Sequence, residues 1–221
     1  MTLEVIATNI EDIKQINKSQ ADRIEFCFEL ERGGLTPSYE TIKQAGEISS
    51  TPVNVMLRPH DRGYNYSDED FNQMLIDAKY IASTKVNGVV CGILTPDKKI
   101  DQIRFKQIID LLPGKQIVCH RAFQEVEDQI QGLKDLKALG VEMVLTSGRD
   151  KINESLDLLK TLKEANLVTI QAGGGVGFDN IQAIKQVVDA VHVGTAVRET
   201  KSWLAPISIE KINQMQDILS N

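Results

Sequence analysis

The chain has 221 residues, 25 Lys+Arg against 31 Asp+Glu for a net charge of −6, and a residue content that is 42% hydrophobic and 5% aromatic. These are the proportions of an ordinary globular chain, and they exclude the disordered, collagen-like and disulfide-scaffold classes. An acidic balance with no basic run lacks the electrostatic footprint that nucleic-acid binding needs, so no nucleic-acid partner is expected. The longest apolar run, Gly88 to Leu94, is far short of a bilayer span, and the first ten residues carry neither Lys nor Arg. A cytoplasmic chain without a membrane partner is the expectation.

Short β-rich segments begin near Leu3, Asp22, Val53, Val86, Gln116, Glu142, Val168 and Ala190. Between them the apolar residues take helical spacing, as in Ile130, Leu133 and Leu136, or Leu156, Leu159 and Leu162. Ser67-Asp68-Glu69-Asp70 offers an N-cap and a first turn of acids before Phe71, Met74, Leu75 and Ala78. Eight strand-to-helix alternations with no Pro-, Ser- or Gly-rich linker predict an α/β fold, a single-domain (β/α)8 barrel over residues 1–221. The alternative is an open doubly wound sheet.

Alternation within the strands favours closure. Ile24 and Phe26 alternate with Arg23, Glu25 and Cys27; Val53, Val55 and Leu57 alternate with Asn54, Met56 and Arg58; Val191 and Val193 flank His192. A strand in an open parallel sheet would be apolar on both faces. One consistently polar face needs a shared interior, in which Glu4, Arg23, Glu25, Asn54, Arg58, Gln171 and His192 neutralise and hydrogen-bond one another. Arg23, Glu25 and Arg58 are expected to form one buried charge network. The three cysteines, Cys27, Cys91 and Cys119, suit reduced buried thiols; by phase only Cys27 points inward.

In such a barrel the loops after the strands build the active face. Three segments there carry chemistry. After strand seven come Gly173, Gly174 and Gly175, and after strand eight comes Gly194; together they read as a bare-backbone cradle for a phosphate or carboxylate, or as tight-turn glycines alone. The run is not a dinucleotide fingerprint, and no organic cofactor is expected. At the end of strand five, His120 and Arg121 join Glu25 and Arg58 as candidate catalytic residues, His120 serving as acid, base or metal ligand unless it is a hydrogen-bonded core histidine. The loop Leu57 to Tyr66 reads as a substrate lid or a solvated loop. Zinc is not indicated by any ligand spacing, whereas Cys27, Met56 and His120 on the inward phase offer soft donors for Cu(I). Neither a Gly-x-Ser-x-Gly elbow nor an inward strand lysine occurs, which leaves out serine-nucleophile and Schiff-base chemistry.

Several segments taken in order, Ala21-Asp22-Arg23-Ile24-Glu25-Phe26-Cys27, Gly33-Gly34-Leu35-Thr36-Pro37-Ser38, Arg58-Pro59, Tyr66-Ser67-Asp68, His120-Arg121-Ala122-Phe123, Leu145-Thr146-Ser147-Gly148 and Ala172-Gly173-Gly174-Gly175, resemble the CutC family over nearly the whole chain. The resemblance implies a cytoplasmic TIM-type barrel, a homo-oligomer with a dimer as the expected form, and a copper homeostasis protein with copper binding. Its recurring polar set would be Glu25, Cys27, Arg58, His120 and Arg121. The chain departs from the family pattern at Gln124, where Asp is usual, at His60-Asp61-Arg62, where the loop is usually glycine-rich, and at Arg32. Two functions follow as expectations: handling of a copper ion, or a lyase or isomerase reaction on a small anionic metabolite held by the glycine segments.

Overall fold

Strand and helix alternate eight times in the computed structural model, which describes residues 1–220. The strands are β1 (Thr2–Ala7), β2 (Arg23–Phe26), β3 (Val53–Met56), β4 (Gly88–Cys91), β5 (Gln116–Cys119), β6 (Met143–Thr146), β7 (Thr169–Ala172) and β8 (Ala190–Val193). Each starts within two residues of the position read from the sequence. The helices are α1 (Ile10–Ile16), α2 (Tyr39–Ile48), α3 (Asp68–Ala82), α4 (Gln102–Asp110), α5 (Gln129–Ala138), α6 (Leu156–Glu164), α7 (Ile181–Val187) and α8 (Ile209–Ser220). All strand pairings are parallel and β1 pairs with both β2 and β8, so the sheet closes and the open-sheet alternative is set aside.

The two-residue phase divides the core. Outward Val and Ile side chains pack under the helices in one continuous layer that includes Val5, Ile24, Val55, Val89, Ile117, Ile170 and Val191. Inward, Ile6, Cys27, Met56, Val90, Val118, Met143 and Leu145 form a separate cluster in the lumen. Cys91 and Cys119 are register partners in the outer layer, and Cys27 belongs to the inner one, as their phase dictates. Side-chain caps fix several helix starts: at α3, Ser67 accepts from the Asp70 amide while the Asp70 carboxylate accepts from the Ser67 amide, a complete capping box. No helix among the described residues is long and apolar enough to cross a membrane.

Polar groups fill the rest of the lumen. Toward the strand N-termini, Asn87 donates to Asn54 at 3.0 Å and Asn54 to Gln116 at 2.9 Å. Gly88 makes room for this amide chain, since a Cβ there would collide with the Gln116 carbonyl and Asn54. Above it lies the ionic layer of Glu4, Arg23, Gln171 and His192, and above that the cavity.

Candidate active site at the strand C-termini

A cavity of about 290 Å³ opens where the strands end, at the small end of the range for ligand sites. Its wall brings together Glu25, Cys27, Met56, Arg58, His120, Arg121, Gly174, Gly175 and Gly194, residues that the sequence proposes separately from five strands and the loops after them. Gly173 stands just below, its α-carbon facing Leu145 and His192, and does not border the cavity.

Under the floor, every polar group has a partner. Glu4 and Arg23 form a buried ion pair. Arg23 also donates to Gln171 at 3.1 Å, Gln171 donates back to Glu4 at 2.9 Å, and His192 Nδ1 donates to Glu4 at 2.7 Å. The Glu4 carboxyl is held down at about 2: burial opposes ionisation, but Arg23 and the His192 hydrogen bond outweigh it.

Glu25 differs. One oxygen lies 3.3 Å from His192 Nε2, while its Oε1 is buried with no hydrogen-bond partner. Desolvation, partly offset by His192 and reinforced by Glu4, raises its carboxyl to about 7. His192 is raised as well, since Glu25 and Glu4 outweigh its own burial. Glu25 and His192 therefore titrate as a linked pair, with Glu4 fixing the imidazole orientation from the other side.

His120 is also buried, and its Nδ1 accepts from the Ala122 amide at 3.1 Å. The ring proton of the neutral form thus sits on Nε2, which finds no partner. Burial, helped by the Arg58 and Arg121 charges, pushes its pKa down to about 3. Such an imidazole is a poor base and a fixed hydrogen-bond donor. Gly92 makes the position possible, because a Cβ there would lie 2.6 Å from two ring atoms of His120.

The expected network of Arg23, Glu25 and Arg58 does not form as one unit. Arg23 turns down to Glu4, whereas Arg58 donates to the carbonyls of Arg32, Gly33 and Gly34 at 3.3, 3.1 and 3.4 Å and lies 4.9 Å from the centre of the Tyr64 ring. The reason is axial: Arg23 starts β2, while Arg58 lies two residues past the end of β3, so they occupy different layers. Arg121 lies across the mouth against Gly174, where a Cβ would come within 3.0 Å of its guanidinium carbon. Its Nε donates at 2.6 Å to Gln124, so the residue at the departure from the family pattern orients Arg121 without neutralising it. Gly174 and Gly175 have φ of 82° and 115°, which leaves bare backbone on the wall.

Two sulfur groups meet beside the mouth: Cys27 Sγ and the Met56 methyl carbon each lie 3.5 Å from the point a Gly34 side chain would occupy. The Cys27 thiol is pushed well above its ordinary range by burial and by the charges of Glu25 and Glu4. A different cluster, Glu4, Glu25 and His192, has ligand atoms within 4.8 Å of one another, a spacing that could hold a metal ion. There a cation would compete with the Arg23 guanidinium already paired to Glu4.

Some wall residues have no sequence signal. Trp203 comes from the excursion after β8, anchored by the buried bidentate pair of Arg198 and Asp12 at 2.6 and 3.3 Å. Its indole lies so close over Gly194 that a Cβ there would collide with it. In the loop after β3, Tyr64 borders the cavity, whereas Asp61 pairs with Arg32 at 2.9 Å and His60 lies 3.1 Å from Asp70. That loop is thus tied down by its charged residues and contributes one aromatic face.

Fold and site define a (β/α)8 barrel with a small polar cavity at the strand C-termini. The family model for CutC matches residues 1–197, and the chain belongs to the CutC family. A CutC protein of Vibrio campbellii is 33% identical over 204 residues, covering 90% of this chain and 83% of the relative. One from Vibrio atlanticus is 36% identical, covering 86% and 80%. Among solved structures, one named "Putative Copper Homeostasis Protein CutC", from Streptococcus agalactiae, superposes with a TM-score of 0.83 at 32% identity, covering 88% of this chain and 98% of that one. Thiamine phosphate pyrophosphorylase from Pyrococcus furiosus, at 15% identity and a TM-score of 0.65 over 99% and 95% of the two chains, shares the fold alone.

Proposed function

We propose that the chain is a lyase or isomerase acting on a small phosphorylated or carboxylated metabolite, with Glu25 moving the proton and His120 polarising the reacting oxygen. The observation that carries this reading is a pair of buried atoms without partners on two residues that line one cavity, the Glu25 Oε1 acceptor and the His120 Nε2 donor. Buried polar groups are nearly always partnered, and those left open in a cavity point to a ligand. A carboxylate poised near neutrality, together with a neutral imidazole N–H, suits proton abstraction next to a carbonyl. In that step Glu25 takes the C–H proton on Oε1, the His120 N–H holds the developing oxyanion, and His192 with Glu4 fixes the carboxylate. Arg58, Arg121 and the backbone of Gly174 and Gly175 supply positive potential for the anionic group, with Gly173 and Gly194 giving the space that His192 and Trp203 occupy. The test is to incubate the protein in D2O with a panel of sugar phosphates and keto acids and follow loss of the α-proton signal by NMR. Exchange should occur with at least one member and disappear in Glu25→Gln; a panel member that binds in the cavity but never exchanges would contradict the reading.

The converging sulfur groups favour a second reading, Cu(I) carried as cargo by Cys27 and Met56 with His120 as a third donor. Thioether and thiol suit a soft monovalent ion, and the relative's name points the same way. Binding would have to displace a proton held tightly on Cys27. Cys27→Ser should weaken stoichiometric Cu(I) binding at least about tenfold, or ~1.4 kcal/mol; an unchanged affinity would rule out this ligand set.

A further inference from the structure

We propose that the substrate carries two anionic groups, a phosphate seated against Arg121 and the Gly174–Gly175 backbone and a carboxylate against Arg58, with the reacting carbon between them. This rests on the enzyme reading above and names its substrate class.

The first observation concerns charge pairing. Arg23, Arg32, Arg62, Arg104 and Arg198 each lie in an ion pair with a carboxylate. Arg58 and Arg121 do not: among the described residues, Arg58 donates to three backbone carbonyls and Arg121 to the neutral amide of Gln124. Arg149 also caps carbonyls, but it does not border the cavity. Glu25 is the one carboxylate on the cavity wall, and it is taken up with His192. In a chain of net charge −6, two of the three guanidinium groups without a carboxylate partner among the described residues therefore share one cavity.

The second observation is their placement. The strand order runs β1 to β8 around a closed barrel, so β3, which leads into Arg58, stands opposite β7, which leads into Gly174 and Gly175. The two cationic poles face each other across the mouth, and Glu25 and His120 come from strands between them, β2 and β5.

Chemistry assigns the ends. Arg121 is exposed and beside two glycines with bare backbone, a setting that leaves a tetrahedral dianion several donors. Arg58 is only 6% exposed, with part of its guanidinium already committed to carbonyls, which suits a single planar carboxylate. A volume of about 290 Å³ restricts the whole molecule to a short carbon chain.

Calorimetry on the full chain with three matched probes tests this: glycerol 3-phosphate, glycerate and 3-phosphoglycerate. The doubly anionic probe should bind at least about tenfold tighter than either of the others. Arg58→Met should abolish that advantage and leave glycerol 3-phosphate within about twofold of the parent, while Arg121→Met should cost both phosphate-bearing probes alike. Equal affinity of 3-phosphoglycerate and glycerol 3-phosphate in the parent would overturn the second pole and leave a single-anion enzyme standing. Failure of all three to bind would overturn the enzyme reading with it. An equal loss for both phosphate probes in Arg58→Met would overturn the assignment of the carboxylate to Arg58.

Discussion

Two layers of one lumen, a few ångströms apart along the strands, treat the same kinds of residue in opposite ways. In the lower layer Glu4, Arg23, Gln171 and His192 satisfy one another. In the upper layer Glu25 and His120 each keep a buried polar atom open, and Arg58 and Arg121 lack counter-ions. A satisfied buried network holds a structure in place, whereas an unsatisfied one costs stability and persists where a ligand completes it.

That contrast is sharpest in stability. Glu4→Ala leaves Arg23 as an uncompensated buried charge and should cost about 3–5 kcal/mol, seen as a melting temperature lower by roughly 10 °C. Glu25→Gln removes a group that burial already penalises, while His192 keeps Glu4, so its melting temperature at pH 7 should match or exceed the parent's. If the two variants melt alike, the layers are not distinct.

A smaller effect should follow from bulk at the mouth. Gly174→Val places a branched side chain at φ 82° and against Arg121. It should lose stabilisation by phosphate or sulfate in a thermal-shift titration, with about 1–2 kcal/mol of backbone strain besides. Retention of the full anion response would separate the glycines from anion binding.

Stability should also depend on pH. Glu25 is raised from 4.5 to about 7 in the folded protein, so the folded state holds the extra proton and stability falls as pH rises across that window. His192, raised from 6.5, adds stability that is likewise lost as pH rises above that value. Glu4 runs the other way: lowered to about 2, it contributes above pH 4.5 and is lost as pH falls toward 2. Denaturant titrations between pH 4.5 and 7 should show the decline in the parent and a flatter profile in Glu25→Gln.

The barrel was legible because alternation in its strands is a local property: Arg23-Ile24-Glu25-Phe26 states in four residues which face is shared and which lies under helices. The same phase placed Cys27 inside and Cys91 and Cys119 outside, and it gathered Glu25, Arg58, His120 and Arg121 at one end. Phase does not give depth, so it could not tell that Arg23 and Arg58 lie in different layers or that Glu4 would be Arg23's partner. Nor does it give packing distance. Gly92 looks like any strand-end glycine until the His120 ring is seen pressed against it, and Trp203 reaches the mouth through an excursion fixed by Arg198 and Asp12, residues 186 positions apart. A resemblance recognised through motifs gives the family, and it does not show that Gln124 turns its amide oxygen to Arg121.

The central claim is that the upper layer is held open for a ligand, with His120 as a neutral donor whose proton resides on Nε2. Nitrogen-15 NMR of the ligand-free protein from pH 5 to 8 measures this directly. The predicted result is one neutral tautomer protonated on Nε2 throughout, consistent with a pKa near 3. Titration of His120 to the doubly protonated form near pH 6.5, or a proton on Nδ1, would contradict it.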